Sequence, residues 1–386
     1  MARARLVALL LITASSCTRH ETPGVAALPP AGPAGTLDSA GAAAVLNCAR
    51  WCPNGTQIAI GIVRGDSETY AGVLRRNDSL LYIINDDSVF EIGSVTKTFT
   101  GAMLAHLVRQ GAVRLDDPVQ RFLPVTMKES TREGKAVTLL TLADHTSGLP
   151  FEPTNTRSGD LPFDPYSPYR SYSPRLLYEY LAHDLVLQSV PGARRVYSNL
   201  GGGLLGHILT LVTGRTYETL LQETICAPLG MRSTFVDRTP ARERLMVHGR
   251  DTGGGLLPPG IGDCGALTGA GGIQSSARDM IRYVRANMTD TTFFALAQRP
   301  TRKFDEHLSG ALGWAPYRER EFSHMGAFGA TGGFTCGLIF ERRLGIGVVV
   351  LTNISAFTAT EQKPAEALCR TLYDRLLDAA VDHRKG

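Results

Sequence analysis

Strand-like apolar runs stand near both ends of this chain, and the stretch between them reads as helical. Residues 57–63 and 69–74 are apolar and separated by Gly65-Asp66, a hairpin signature. Residues 334–340 and 346–352 flank Glu341-Arg342-Arg343-Leu344-Gly345 and read as a second hairpin. Between them, residues 115–264 alternate helical stretches with long polar, Pro-rich loops. Residues 361–377 close the pattern as an amphipathic helix. The expected fold is α/β: an antiparallel sheet built from both termini and flanked by helices, with an all-helical lobe inserted. At 386 residues, 43% hydrophobic and 20% charged, the chain can bury a sizeable core in one large domain or two lobes.

The first residues read as an address rather than as fold. Ala2-Arg3-Ala4-Arg5 is basic, residues 6–12 are apolar, and Thr13-Ala14-Ser15-Ser16-Cys17 is small-residue rich. Residues 1–17 are therefore expected to be an export signal, too short to span a membrane permanently. Cys17 after small residues resembles a lipobox, although Ala14 stands where leucine is usual. Lipidation of Cys17, which would tether the protein to a membrane, and simple cleavage nearby both stay open. The expected location is periplasmic, or membrane-anchored as a lipoprotein. Residues 18–45, rich in Ala, Gly and Pro, read as a flexible linker, and residues 46–382 as the folded domain, with its helical lobe at about 115–265.

If Cys17 carries lipid, Cys48, Cys52, Cys226, Cys264, Cys336 and Cys369 remain. Export permits disulfides, and Cys48 and Cys52 are close enough to pair locally, but buried thiols fit the spacing as well. No Cys/His spacing resembles a zinc site, and neither metal nor cofactor is expected. A net charge of +4 without a dense Lys/Arg run gives no reason to expect a nucleic-acid partner.

The chemistry points to Ser94-Val95-Thr96-Lys97, at the start of a helical pattern that runs to about Arg109, with Gly111 as C-cap. Serine and lysine three apart share one helix face. The lysine can take the serine proton once burial or a cationic neighbour favours its neutral form. Tyr197-Ser198-Asn199 is the second motif. A buried tyrosine beside a lysine has its phenolate stabilised and can relay protons, and an asparagine can hold both a lysine and a substrate carbonyl. The third region runs from His324-Met325-Gly326 to Thr331-Gly332-Gly333-Phe334. It reads either as a glycine-rich turn into the hairpin or as a strand edge along which an acyl group could lie. Residues 160–174, with four prolines and three tyrosines, read either as a substrate mouth or as a self-packed surface loop.

In this order the three motifs resemble those of the penicillin-recognising serine hydrolases: class C β-lactamases, D,D-peptidases and related esterases. Leu142-Ala143-Asp144-His145-Thr146-Ser147-Gly148-Leu149-Pro150 and Ala270-Gly271-Gly272-Ile273 fit the same pattern. The surroundings of Tyr197 are most similar to D-alanyl-D-alanine carboxypeptidase/endopeptidase-like members. The resemblance implies a β-lactamase/transpeptidase-like fold and an acyl-enzyme on Ser94, with Lys97 and Tyr197 moving its proton. It also implies an oxyanion hole from the amides of Ser94 and Ala330, and Asn199 and Gly329 at the substrate. His145 is expected to be a structural loop residue.

One departure bears on substrate. The family has Lys or His, any residue, then Gly in the third motif, and counting places Ala327-Phe328-Gly329 there. Either a three-residue insertion lets His324 reach the substrate, or the cationic position is empty. A charge-assisted hydrogen bond to a substrate carboxylate is worth about 1.5–3 kcal/mol, so its loss would spare neutral esters most. The expected substrates are small molecules or peptides. A D,D-peptidase-like amide hydrolase ranks first, a class C-like β-lactamase or short-chain esterase next, and a non-catalytic sensor last.

Overall fold

The computed structural model describes residues 37–158, 163–257, 264–319, 321–355 and 364–385. The export signal, Cys17 and most of the linker lie outside the described residues, as do residues 160–162 of the Pro/Tyr loop.

Seven strands form one antiparallel sheet: β1 (Gln57–Arg64), β2 (Ser67–Arg76), β3 (Ser79–Tyr82), β4 (Ala315–Glu319), β5 (Phe322–Ala330), β6 (Thr335–Glu341) and β7 (Ile346–Thr352). Their order across the sheet is β4-β5-β6-β7-β1-β2-β3. The two ends of the chain join where β1 pairs with β7, from Ile58 opposite Thr352 to Arg64 opposite Ile346. Both hairpins expected from sequence are present. Both readings of the third region hold in part: residues 324–330 belong to the nine-residue strand β5, and Thr331-Gly332-Gly333-Phe334 is the turn into β6, closed by Thr331 N–H donating to the Phe334 carbonyl at 2.9 Å.

Both sheet faces are covered, which explains why β1 and β7 are apolar along their length rather than alternating. Ala59, Val63, Val349 and Leu351 face one core cluster, while Ile58, Ile60, Val348 and Val350 face the other. Helix α1 (Ser39–Ala49) and the C-terminal helix α5 (Pro364–Lys385) cover the second face. Residues 39–45, expected to belong to the linker, are thus helical. Asp38 caps the N-terminus by accepting from Gly41 N–H, and Val45 and Ala49 pack in the cluster that holds Leu368 and Leu372. An alanine-rich tract has high helix propensity once it has a surface to lie on.

The first face is covered by α2 (Thr96–Arg109), α3 (Asn199–Thr213), α4 (Ala277–Thr289) and the short helices between them. Helix α2 is buried on almost every side, as a central helix must be. Phe99 stacks on Tyr283 of α4 with ring centroids 3.8 Å apart. The helix ends as a Schellman motif: Ala112 N–H donates to Leu107 O and Gly111 N–H to Val108 O, both at 3.0 Å. All six described cysteines are thiols, and Cys52 Sγ donates to the Cys48 carbonyl rather than bonding its sulfur. No helix of the described residues is long and apolar enough to cross a membrane.

Candidate active site

Ser94 lies on a single 3-10 turn, Gly93–Val95, that runs directly into α2. One helical turn on, Lys97 brings its Nζ to 3.0 Å from Ser94 Oγ. The buried Lys97 also donates to Asn199 Oδ1 at 2.9 Å and to the Ala270 carbonyl at 2.7 Å. Three acceptors match the three protons of an ammonium.

Tyr197 reaches the same hydroxyl from the loop before α3, its OH donating to Ser94 Oγ at 2.6 Å. Lys97 Nζ is 4.8 Å from the centre of its ring. Burial opposes ionisation of this phenol. The Lys97 charge, hydrogen bonds with Lys97 and Ser94, and the charge of Arg195 outweigh it, so Tyr197 is held below the ordinary tyrosine range.

The neighbours of Tyr197 aim it. Ser198 caps α3, its Oγ accepting from Gly201 N–H at 2.8 Å and donating to the Pro150 carbonyl at 2.6 Å. Asn199 N–H donates to the Phe151 carbonyl at 2.8 Å, and its Nδ2 to the Tyr169 hydroxyl at 3.3 Å. His145 lies tilted against Tyr197, with ring centroids 4.5 Å apart. Its Nδ1 accepts from Ser198 N–H at 3.3 Å, and its carbonyl accepts from Val196 N–H at 2.7 Å. Burial, then the charges of Lys97 and Arg195, push the imidazole well below its ordinary pKa. A neutral ring with Nδ1 as acceptor holds the Tyr197 loop in place.

Strand β5 supplies the other half of the site. A Cβ on Gly329 would stand 2.0 Å from the Ile92 carbonyl oxygen and 2.9 Å from Ser94 N. A Cβ on Gly93, at φ +49°, would stand 2.6 Å from Ala330 N. Only glycine lets strand and turn approach this closely, and the approach gathers the Ser94 and Ala330 amides in one neighbourhood.

Alternation along β5 corrects one expectation. Met325 and Ala327 face the core cluster that contains α2, whereas Phe328 packs toward α5 beneath Arg370. His324 faces the α5 side as well, with Nδ1 2.5 Å from the Tyr373 hydroxyl. The pairing with β6 runs unbroken from Met325 opposite Phe340 to Ala330 opposite Thr335, so no inserted residues swing His324 round. Both His324 and Ala327 line the cleft, but of the two only Ala327 lies on the α2 side of the strand.

Ser94 stands where two clefts meet. One, of about 600 Å³, passes Lys97, His145, Tyr197 and Arg195 on its way to Tyr317 and Tyr373. The other, of about 480 Å³, is walled by Phe151, Phe163, Tyr166, Tyr169, Asn199 and Ala330. The Pro/Tyr loop therefore borders Ser94. Two participants were not singled out from sequence: the Ala270 carbonyl, a backbone atom without a side-chain signature, and Arg195, two residues before Tyr197. Among the described residues no three His, Cys, Asp or Glu side chains gather as a metal site requires.

The beta-lactamase family model matches residues 57–369. A D-alanyl-D-alanine-carboxypeptidase/endopeptidase, AmpH of Escherichia coli (strain K12), is 31% identical over 299 residues, 72% of this chain and 72% of that protein. A beta-lactamase of Pseudomonas fluorescens is 25% identical over 353 residues, 81% of this chain and 92% of its own length. Among solved structures, a beta-lactamase/D-alanine carboxypeptidase from Yersinia pestis aligns with a TM-score of 0.72 at 21% identity, covering 88% of this chain and 98% of its own. At that identity the likeness speaks for the fold.

Proposed function

Because the chain belongs to the beta-lactamase family and is an enzyme of its serine-hydrolase class, we propose that it is a D,D-peptidase-like amide hydrolase working through an acyl-enzyme on Ser94. The observation that carries this reading is the convergence of two proton-handling groups on one hydroxyl: Tyr197 OH at 2.6 Å and Lys97 Nζ at 3.0 Å from Ser94 Oγ.

As Ser94 Oγ bonds to the substrate carbonyl carbon, its proton passes to the Tyr197/Lys97 pair. The carbonyl oxygen, now an anion, is received by the amides of Ser94 and Ala330. The C–N bond then breaks, and the departing amine takes the proton from the same pair. Water repeats the sequence in reverse: its proton goes to the pair, its oxygen bonds to the acyl carbon, and Ser94 leaves with a proton restored. Asn199, which accepts from Lys97, holds that amine and offers its amide to the substrate.

The leaving group must lie where its proton comes from, on the side of Tyr197 and Lys97. The acyl side then extends past Asn199 and Ala330 into the aromatic cleft. Residues 1–17 and Cys17 would place this activity outside the cytoplasm, where cell-wall peptides are found. Fractionation of wild type and Cys17→Ala checks that part.

Nitrocefin, p-nitrophenyl acetate and a D-Ala-D-Ala peptide, assayed side by side with Ser94→Ala as control, test the proposal. Peptide turnover that Ser94→Ala lowers at least about 10⁴-fold is expected, along with a covalent adduct on Ser94. Turnover that survives in Ser94→Ala sinks it. A second reading, a short-chain esterase, is favoured by Ala327 at the position where the family carries a cation. It is preferred if p-nitrophenyl acetate is turned over and the peptide is not.

A further inference from the structure

The proposed peptidase needs something to recognise the carboxylate of a C-terminal D-amino acid, and β5 does not provide it. Ala327 is neutral, and His324 is engaged by Tyr373 on the α5 side of the strand. The leaving-group cleft does contain other cations. Lys97 is occupied by Ser94, Asn199 and Ala270. Arg370, at the far end, pairs with Glu366 at 3.2 Å and stacks over Phe328 at 4.5 Å.

Arg195 differs from both. It is exposed and lines the cleft together with Ser94, Lys97 and Tyr197. Among the described residues it forms no ion pair, and its guanidinium lies 5.9 Å from the centre of the Phe304 ring. Its charge reaches the catalytic groups, contributing to the lowered pKa of both Tyr197 and His145. Only Val196 separates it in sequence from the tyrosine that would protonate the departing amine. In a leaving D-amino acid only the α-carbon separates that amine from its carboxylate, so a group that binds the carboxylate must sit close to Tyr197. Glu319 and Asp374 also line this cleft, and neither forms an ion pair with Arg195 among the described residues.

We propose that Arg195 is the specificity residue that binds the carboxylate of the leaving group, in place of the cation absent from the third motif. The inference rests on the peptidase reading above. A guanidinium presents two parallel N–H groups to a carboxylate, a geometry that an alanine-bearing strand cannot offer.

The test uses one acyl-D-Ala-D-Ala peptide in two forms, the free acid and its C-terminal amide, and compares kcat/KM for each. Wild type is expected to prefer the acid. In Arg195→Gln the acid/amide ratio falls about tenfold, mostly through KM, the low end for a charge-assisted bond because the site is open to solvent. Arg195→Lys restores part of the ratio. A wild type without preference, or a Gln variant that loses both forms equally, overturns the inference. Melting temperatures of the variants separate misfolding from lost recognition. Labelling of Ser94 by a fluorophosphonate reports on the acyl-enzyme reading independently, so either idea can fail while the other stands.

Discussion

On one side of Ser94 the wall is built of Phe151, Phe163, Tyr166 and Tyr169; on the other it is built of His145, Tyr197, Arg195 and Tyr317. The aromatic wall comes mostly from a loop with little regular structure, pinned at a few points. Tyr169 donates to Glu152 at 2.8 Å and accepts from Asn199, while Arg157 stacks on Phe163 at 4.3 Å. The polar wall is held by the buried His145 and by the sheet. Aromatic faces reward apolar and planar acyl groups without fixing them closely, whereas charged and hydrogen-bonding groups discriminate sharply. On the proposed reading the two walls divide the work: tolerance on the acyl side, selection and proton transfer on the leaving-group side.

The strongest blow to that division is Tyr197→Phe, which removes the proposed proton carrier for both acyl transfer steps. A loss of kcat of about 10²–10⁴-fold is expected, equal for substrates that differ only in the acyl group. In wild type the alkaline rise of kcat/KM should fall below the ordinary tyrosine value of about 10, because the fold favours the phenolate. If the Tyr197→Phe enzyme keeps the same alkaline limb, Tyr197 is not the titrating group.

A sharper cut through the comparison is Phe163→Ala. Truncating one aromatic face should lower kcat/KM about tenfold for an aromatic acyl donor and much less for an acetyl donor. The acid/amide ratio proposed to depend on Arg195 should not move. A change in both preferences together would mean that the walls are coupled.

The smallest effect concerns stability rather than rate. His145 is held neutral in the fold, while in the unfolded chain it protonates near 6.5. Below that pH the unfolded state binds a proton that the folded state refuses. Stability therefore rises with pH across this window and is lost as pH falls, by at most about 1.4 kcal/mol per pH unit. His145→Asn, which tolerates the φ of +61° at this position, should flatten that part of the acid slope in urea denaturation. An unchanged slope between pH 7 and 5 would show that other groups carry it.

Legibility followed the range of the interaction. Ser94 and Lys97 could be read because a helix converts a spacing of three into adjacency, and the hairpins because a short turn sets their register. The glycine-rich third region was ambiguous because Gly329 serves an approach to Ile92 and Ser94 more than 200 residues earlier. Helix α1 was missed because an alanine-rich tract looks the same as a linker until Leu368 and Leu372 provide a surface for it.

The order of residues alone determined the class of sheet, the joining of the two termini and the pairing of a serine with a lysine one turn on, since all of these follow from local periodicity and short spacings. Tertiary structure decided which way β5 faces, and with it that Ala327 lies on the α2 side while His324 lies against α5. It also set Arg195 beside Tyr197 in the open cleft. A strand turns each successive side chain to the opposite face, so one step of register separates a cation in the site from one buried beneath the sheet, and only long-range pairing fixes that step.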